Sequence, residues 1–163
     1  MLSRISIIIP AYNEESRIIP SLEKLKDVFI KNKSDIEILV GDDGSKDETV
    51  RILKEFAKTN PWYRLVELEK NQGKGATLRE LVAETKGDIV LYTDADLPVD
   101  PLEFYKLIDP ISSGEADLVQ VSRWLEASPK VVNLPLYRNV ISQLFRLVIK
   151  IMKQQLSLLI KGL

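Results

Sequence analysis

Two carboxylates separated by one residue, in Asp94-Ala95-Asp96, are the side chains best suited to hold a metal ion in this sequence. They follow an apolar run, residues 88–93, that predicts a β-strand, and a turn at its end can aim both carboxylates at one point. Such oxygen ligands suit Mg²⁺ or Mn²⁺, with water and substrate phosphates completing the shell. Exposed turns often carry acidic pairs, but the place at a strand end favours a metal site. The cation would neutralise charge on a diphosphate leaving group.

Two further loops carry residues that could contact a nucleotide. Asp42 and Asp43 follow a predicted strand at 36–41, and they could serve either as ordinary turn residues or as hydrogen-bond acceptors for a nucleobase or ribose. The loop Gly73-Lys74-Gly75 could bring backbone amides and one ammonium group near phosphate. Its spacing matches neither the P-loop nor the dinucleotide-binding fingerprint.

The composition restricts the chemistry. The chain has 163 residues, enough for one domain, and a net charge of -1, which argues against nucleic acid as a partner. Cysteine and histidine are both absent from the sequence. Any catalysis must therefore use carboxylates, lysine, arginine, hydroxyl groups or a bound metal. We see neither a signal peptide nor an apolar run long enough to span a membrane.

Strands and helices alternate along the chain and predict an α/β fold with a mostly parallel sheet flanked by helices. A capping box of Ser45 and Glu48 is expected to start the second helix, and Pro10 to end the first strand. The predicted strands are 5–9, 36–41, 63–68, 88–93 and 117–122, and the predicted helices are 14–31, 46–58, 75–85 and one that begins at Pro101. Because ligands bind at the carboxyl ends of parallel strands, the polar loops there should converge on one site.

The last thirty residues have a different pattern. Residues 134–163 predict a basic amphipathic helix with a broad apolar face. Such a helix could lie in a membrane interface, or it could pack on the core or join two copies in a homo-oligomer. We therefore divide the chain into an α/β domain, residues 1–133, and this helical segment.

The order of the motifs resembles family-2 glycosyltransferases with the Rossmann-like GT-A fold, and most of all the dolichyl-phosphate (polyprenyl-phosphate) glucose and mannose synthases. The motifs that carry this resemblance are 7–15 (IIIPAYNEE), 40–47 (VGDDGSKD), 71–76 (NQGKGA), 88–98 (DIVLYTDADLP) and 122–124 (SRW). Together they cover the chain from about residue 4 to 150. The resemblance implies that residues 1–133 form a nucleotide-sugar-binding catalytic domain.

The resemblance implies a role for each matching residue. The donor-binding residues, with Lys74 added from its loop, are Pro10, Ala11, Tyr12, Glu14, Gly41, Asp42, Asp43, Lys74, Asp94, Ala95 and Asp96. Asp94 and Asp96 match the metal site. Arg123 and Arg138 match the arginines that hold the acceptor's phosphate, so that Asp96, Arg123 and Arg138 are the expected catalytic residues.

The implied reaction is inverting transfer of a hexose from UDP-glucose or GDP-mannose to polyprenyl phosphate. The acceptor phosphate is already anionic and needs no strong base, which agrees with a chain that lacks histidine. Because a lipid acceptor resides in a membrane, the basic helix would hold the protein peripherally at the cytoplasmic face of that membrane. The alternative is a cytoplasmic protein that is not bound to a membrane.

Two departures from the family pattern qualify this expectation. Pro98 stands where mannose synthases of this group typically have a metal-binding glutamine, which favours the glucose-synthase side. The relatives also continue past the basic helix with a segment that returns to the active site, which residues 153–163 do not provide. A truncated, partly active or non-catalytic nucleotide-sugar-binding module is therefore the alternative, and a nucleotidyltransferase is a weaker one. A match of residues 120–124 to processive polysaccharide synthases is discounted because their transmembrane helices are missing.

Overall fold

Four parallel strands form the sheet in the computed structural model, which describes residues 4–30 and 34–121. The strands are β1 (Ile5–Ala11), β2 (Ile36–Asp42), β3 (Tyr63–Glu67) and β4 (Ile89–Tyr92). The helices are α1 (Ile18–Leu25), α2 (Thr49–Ala57), α3 (Lys74–Glu84) and α4 (Phe104–Ser112), with a π-helical turn at Lys26–Ile30 and a 3₁₀ turn at Pro101–Glu103. The strand order is β3-β2-β1-β4, so β1 and β2 lie at the centre.

Helices cover both faces of this sheet, as the alternation of strands and helices predicts. On one face, Ile7 and Ile9 of β1 share a core with the buried residues of α1, α2 and α4. On the other face, Ile8 of β1 and Leu39 of β2 pack on Leu81 of α3. Successive residues of a strand point to opposite faces, so a continuous apolar run is what a doubly covered strand requires.

The first strand is longer than predicted, because β1 continues through Pro10 to Ala11. The expectation that Pro10 ends the strand is therefore wrong. β4 pairs with β1 only as far as Ile8, whereas β2 remains paired as far as Ala11. Beyond Ile8 one edge of β1 has no neighbouring described strand, and a residue without an N–H is tolerated at such an edge.

The second helix also begins differently. α2 starts at Thr49, and Glu48 at its N-cap makes no side-chain cap hydrogen bond. Ser45 instead accepts a hydrogen bond from the backbone N–H of Asn13 through its hydroxyl oxygen, at 2.9 Å. The predicted capping box is therefore absent, since Ser45 is used to join two loops.

The first helix is shorter than its predicted span of 14–31. Residues 14–17 form a hydrogen-bonded turn, in which the N–H of Ile18 donates to the carbonyl of Glu14 at 3.0 Å, and α1 follows. The predicted apolar face is present, with Ile18, Leu22 and Phe29 fully buried.

The predicted fifth strand is not formed over residues 117–121. These residues line a cavity of about 650 Å³ beside β4 instead of pairing with it, and Leu118 is 83% exposed. A strand needs a ladder of backbone hydrogen bonds, and residues 117–121 form none with β4.

Several predictions lie outside the described residues: the acceptor arginines Arg123 and Arg138, the basic helix at 134–163 and the domain boundary at 133. Residues 4–121 belong to one structural unit that ends at Val121. Within its described residues, the helices are too short or too polar to cross a membrane.

Candidate functional site

A cleft of about 430 Å³ opens at the carboxyl ends of the strands. Loops from four parts of the chain meet there, as the parallel sheet predicts. Its lining residues are Pro10, Ala11, Tyr12, Glu14, Arg17, Asp43, Asn71, Gly73, Lys74, Thr77, Asp94, Ala95 and Asp96. The structure thus brings together most of the predicted donor residues, while Gly41 and Asp42 are not part of this lining.

The acidic turn that follows β4, residues 94–96, is held in place by a hydrogen bond from α1. The Ser21 hydroxyl, in α1, donates a hydrogen bond of 2.6 Å to the carbonyl oxygen of Ala95. Ala95 is buried, and its two neighbours Asp94 and Asp96 both face the cleft. A fixed central residue therefore holds two carboxylates at the rim.

Leu97 closes the same turn in a strained conformation. Its N–H donates to the carbonyl of Asp94 at 3.1 Å, and its φ of 45° lies in the left-handed region. A leucine rarely adopts that region, at a cost on the order of 1 kcal/mol or more. The side chain packs against the main core, which offsets this cost.

Asp43 joins two of the loops that frame the cleft. Its buried carboxylate accepts backbone hydrogen bonds from Gln72 at 2.7 Å and Gly73 at 2.9 Å, one on each oxygen. Gly73 has a φ of 87°, which glycine adopts without strain. Asp43 therefore sets where the loop that begins α3, with Lys74 as its first residue, lies relative to β2.

Asp42 and Gly41 have structural contacts. One oxygen of the buried Asp42 carboxylate accepts the N–H groups of Gly44 and Ser45 at 3.1 and 3.0 Å, which is the turn chemistry considered above. A Cβ on Gly41 would lie 2.7 Å from Cγ2 of Thr77, so this glycine allows α3 to pack closely on β2.

The loop after β1 is tied to the loop after β2 by reciprocal bonds. The Asn13 side-chain oxygen accepts the N–H of Lys46 at 2.8 Å, and the N–H of Glu14 donates to the Thr49 hydroxyl at 2.8 Å. Glu14 also forms an ion pair of 2.8 Å with Arg17, which lines the cleft. The first loop therefore carries one acidic and one basic group at the rim.

Lys74 and Tyr92 converge on the same carboxylate oxygen. The Lys74 ammonium lies 2.5 Å from Oδ1 of Asp94, and the Tyr92 hydroxyl donates to the same oxygen. Burial lowers the pKa of Lys74, but the hydrogen bond and charge of Asp94 outweigh it, so that the pKa is raised above its ordinary value. The amine is therefore a cation at neutral pH.

The carboxylates of Asp94 and Asp96 could supply part of the ligand shell of a divalent cation. Asp94 and Asp96 offer carboxylate oxygens at one rim of the cleft. Across residues 4–30 and 34–121, three acidic, histidine or cysteine side chains never gather closely enough to hold a metal ion by themselves. A cation here needs ligands beyond the two carboxylates, and a diphosphate in the cleft would supply them.

Four residues in or beside the cleft were missed by the sequence analysis: Arg17 and Thr77 in its lining, and Ser21 and Tyr92 beside it. Ser21, Arg17 and Thr77 lie outside the motif segments, whereas Tyr92 lies in the motif 88–98, on the predicted strand, and was given no role. Tyr92 is 45% exposed on β4, an outermost strand among those the structure describes. Its place next to Asp94, two residues along a strand and so on the same face, was the available signal.

The parallel sheet, the helices on both faces and the acidic turn at its carboxyl edge define a GT-A domain. The chain belongs to glycosyl transferase family 2, whose sequence model matches residues 6–159. This agrees with the family that the motifs resemble.

Two curated relatives illustrate the similarity. The chain is 34% identical over 141 residues to a dolichyl-phosphate beta-glucosyltransferase of Trichomonas vaginalis, covering 80% of this chain and 42% of that protein. It is 30% identical to the dolichyl-phosphate beta-glucosyltransferase of Dictyostelium discoideum over 171 aligned residues, covering 98% of this chain and 50% of that protein. The chain therefore spans half, or less, of the length of these two relatives.

A solved structure with a similar fold contains a ligand and a metal. It is the mannosyltransferase PcManGT from Pyrobaculum calidifontis in complex with GDP-Man and Mn²⁺, with a TM-score of 0.54 and 31% identity, and the match covers 59% of this chain and 28% of that chain. This similarity supports the GT-A assignment of the sheet.

Proposed function

We propose that this chain forms the donor site of a glycosyltransferase that moves a hexose from a nucleotide-diphosphate sugar to a polyprenyl phosphate. The observation that carries the proposal is the meeting of Asp94, Asp96 and Lys74 at one cleft, which offers both signs of charge to a diphosphate. Two relatives act on dolichyl phosphate by name, and one structural neighbour binds GDP-Man with Mn²⁺. These names support the class of donor and acceptor.

In the proposed reaction, one bond is exchanged for another at the anomeric carbon. The bond from that carbon to the donor's diphosphate breaks, the bond to an acceptor phosphate oxygen forms with inversion, and the nucleoside diphosphate leaves. Asp94 and Asp96 would hold Mg²⁺ or Mn²⁺, which supplies positive charge to the leaving diphosphate. Catalysis would rest on positioning and charge stabilisation, because the acceptor is already anionic.

The chain's own residues would divide the donor between them. Lys74 would contact the diphosphate, and the loop from Pro10 to Glu14 would wrap the nucleotide. Asp43 would keep the Gly73-Lys74 loop in place through its two backbone hydrogen bonds, whichever nucleotide binds. The carboxylate of Asp43 uses both oxygens in this way, so a base contact would have to use a second lone pair.

The test is a calorimetric panel of UDP-glucose, GDP-mannose and related donors with Mn²⁺. We expect one donor to bind, and Asp96→Ala to weaken it at least tenfold. Asp109→Ala, which removes an exposed carboxylate from α4, is the matched control and should leave the affinity unchanged. Equal donor affinity with Mn²⁺ and with EDTA would exclude the metal from the site.

Transfer to the lipid needs a second experiment. We propose that Arg123 and Arg138 hold the acceptor phosphate, so that Arg123→Ala should keep donor affinity and abolish transfer to polyprenyl phosphate. Arg79→Ala, on the exposed side of α3, controls for loss of a guanidinium group. A chain that binds the donor but never transfers the sugar would indicate the non-catalytic binding module instead.

We also propose that residues 134–163 hold the protein at a membrane surface, where the acceptor resides. The lysine and arginine side chains of this predicted amphipathic helix favour binding to anionic vesicles, and such binding weakens as the salt concentration increases. Co-sedimentation with phosphatidylglycerol vesicles at low and high salt tests this, and protein that stays in the supernatant at low salt would support packing or self-association.

A further inference from the structure

Two donors from different elements contact the same oxygen of Asp94: the Lys74 ammonium and the Tyr92 hydroxyl. Lys74 is the first residue of α3, while Tyr92 is the last residue of β4. The ammonium lies 2.5 Å from Oδ1 and 5.2 Å from the centroid of the Tyr92 ring. The lysine is therefore held at this carboxylate both by charge and by the aromatic face.

The pair of Lys74 and Asp94 is exposed enough to exchange partners. The side chains of the two residues are 54% and 44% exposed. Exposed ion pairs of this kind shift an equilibrium by no more than about fivefold. A ligand with stronger charge can therefore separate the two side chains at low cost.

Both partners have a better alternative in the same cleft once ligands are present. A divalent cation attracts the Asp94 carboxylate and repels the neighbouring ammonium. The oxygens of a diphosphate attract the Lys74 ammonium and repel Asp94. Each ligand therefore favours breaking the same ion pair.

We propose that Lys74 is an exchangeable counter-ion of Asp94, which passes to the donor's diphosphate when a divalent cation takes Asp94, so that cation and nucleotide favour each other's binding. This inference rests on the proposed donor site. Either ligand alone must separate the pair, whereas the two together separate it only once. The second ligand therefore binds more tightly, by the free energy of the Lys74–Asp94 ion pair that the first ligand has already broken. Any direct contact between phosphate and metal adds to this coupling.

Tyr92 contributes to this arrangement from β4. Its hydroxyl donates to Oδ1 of Asp94, and its ring centroid lies 5.2 Å from the Lys74 ammonium.

The experiment is a double-mutant cycle on UDP and GDP affinity in EDTA, measured by calorimetry. Asp94→Asn should tighten metal-free binding of the nucleotide that the protein prefers, because it releases Lys74. In the Lys74→Met background the same substitution should have an effect about threefold smaller. Asp96→Asn is the matched control, since it removes an equivalent charge from the same turn, and its effect should be the same in both backgrounds.

Mn²⁺ binding without nucleotide, measured by electron paramagnetic resonance, gives an independent result. Lys74→Met should bind Mn²⁺ about threefold more tightly than the unchanged chain. Lys70→Met, which removes an exposed lysine from the same loop outside the described cleft lining, should not. Additive effects of Asp94→Asn and Lys74→Met, or unchanged Mn²⁺ affinity in Lys74→Met, would overturn the exchange.

The proposed donor site and the proposed exchange of Lys74 are distinguished by different results. If neither UDP nor GDP binds even with Mn²⁺, the proposed donor site fails, and the Mn²⁺ titration still decides whether Lys74 competes for Asp94. If a nucleotide binds with Mn²⁺ but the cycle is additive, the donor site stands and the exchange is wrong.

Discussion

The Ser21 hydroxyl in α1 donates a 2.6 Å hydrogen bond to the carbonyl of Ala95, so the first helix holds the acidic turn of the cleft. Both groups are buried, and a buried hydrogen bond contributes about 1 kcal/mol. We therefore expect Ser21→Ala to destabilise the fold by that amount and to weaken Mn²⁺-dependent nucleotide binding about threefold to tenfold. Thermal unfolding and calorimetry check the two effects.

Ser34→Ala provides the comparison for this prediction. Ser34 and Tyr105 share a hydrogen bond of 3.1 Å away from the cleft. Its loss should lower stability without changing nucleotide affinity. Equal binding losses in both variants would mean that general loosening, not the anchor at Ala95, is responsible.

Asp43 and Asp42 are adjacent carboxylates for which the structure predicts opposite tolerance to an amide. In Asp43→Asn, the new NH₂ group would face a backbone N–H, which leaves a buried donor unsatisfied at a cost of about 2 kcal/mol. In Asp42→Asn, one oxygen can still accept both N–H groups of the turn, and the NH₂ group would replace Oδ1, which is buried and accepts no hydrogen bond from the described residues, so the turn is kept even where stability falls. We expect at least a tenfold loss of nucleotide affinity only in Asp43→Asn, and titration of both variants with UDP and GDP decides it. A stronger loss in Asp42→Asn would instead indicate direct nucleotide contact by Asp42.

Gly41 and Gly75 test how closely α3 must approach the sheet. In Gly41→Ala, the added Cβ would lie 2.7 Å from Thr77 Cγ2 and 3.0 Å from Leu81 Cδ1, so α3 must shift. We expect a loss of about 1–3 kcal/mol in urea unfolding, together with weaker nucleotide binding as Lys74 moves. A Cβ at Gly75 meets open space in the first turn of the same helix, so Gly75→Ala should stabilise by about 0.5–1 kcal/mol. Equal losses for the two alanines would contradict the packing role of Gly41.

Glu37 lies near the amino end of β2, at the end of the sheet away from the cleft, and is buried. Burial raises its pKa, but hydrogen bonds from the Ser6 hydroxyl at 2.6 Å and the Lys86 N–H at 2.5 Å oppose this. The guanidinium groups of Arg4 and Arg64 lie 3.9 and 3.8 Å away and lower the pKa further. The net result is a pKa below the ordinary value of 4.5.

A lowered pKa in the folded state predicts acid sensitivity. The ionised form of Glu37 stabilises the fold at pH above its ordinary pKa, and that stability is lost as pH falls through the lower, folded value. Glu37→Gln should therefore be less stable than the unchanged chain at pH 7, yet lose less stability between about pH 5 and 3. Thermal unfolding against pH checks this, with the exposed Glu55→Gln in α2 as the control. Parallel curves for the unchanged chain and Glu37→Gln would exclude this role.

Much of the fold follows from local patterns that the sequence displays. Apolar runs such as residues 5–9 and 36–41 predict strands because their β-branched side chains suit a sheet that is covered on both faces. The spacing of Ile18, Leu22 and Phe29 predicts the buried face of the first helix. The meeting of four polar loops also follows, since parallel strands place their carboxyl ends on one edge.

The errors at element ends have one cause. Ser45 has the right residue type and spacing for a helix cap, but it bonds to Asn13, which is 32 residues away. Proline ordinarily interrupts a strand, but β4 stops short, so that beyond Ile8 one edge of β1 has no ladder with another described strand. In both cases a distant neighbour outweighs a local preference.

By itself, the sequence determined the fold class, the two faces of the core and which loops surround the cleft, because periodicity and chain order are local properties. The tertiary structure alone decided how those residues act on each other. Lys74 and Asp94 are 20 residues apart, Asp43 and Gly73 are 30 apart, and Ser21 and Ala95 are 74 apart. Contacts at such separations depend on how helices pack on the sheet, which neither spacing nor residue type encodes directly.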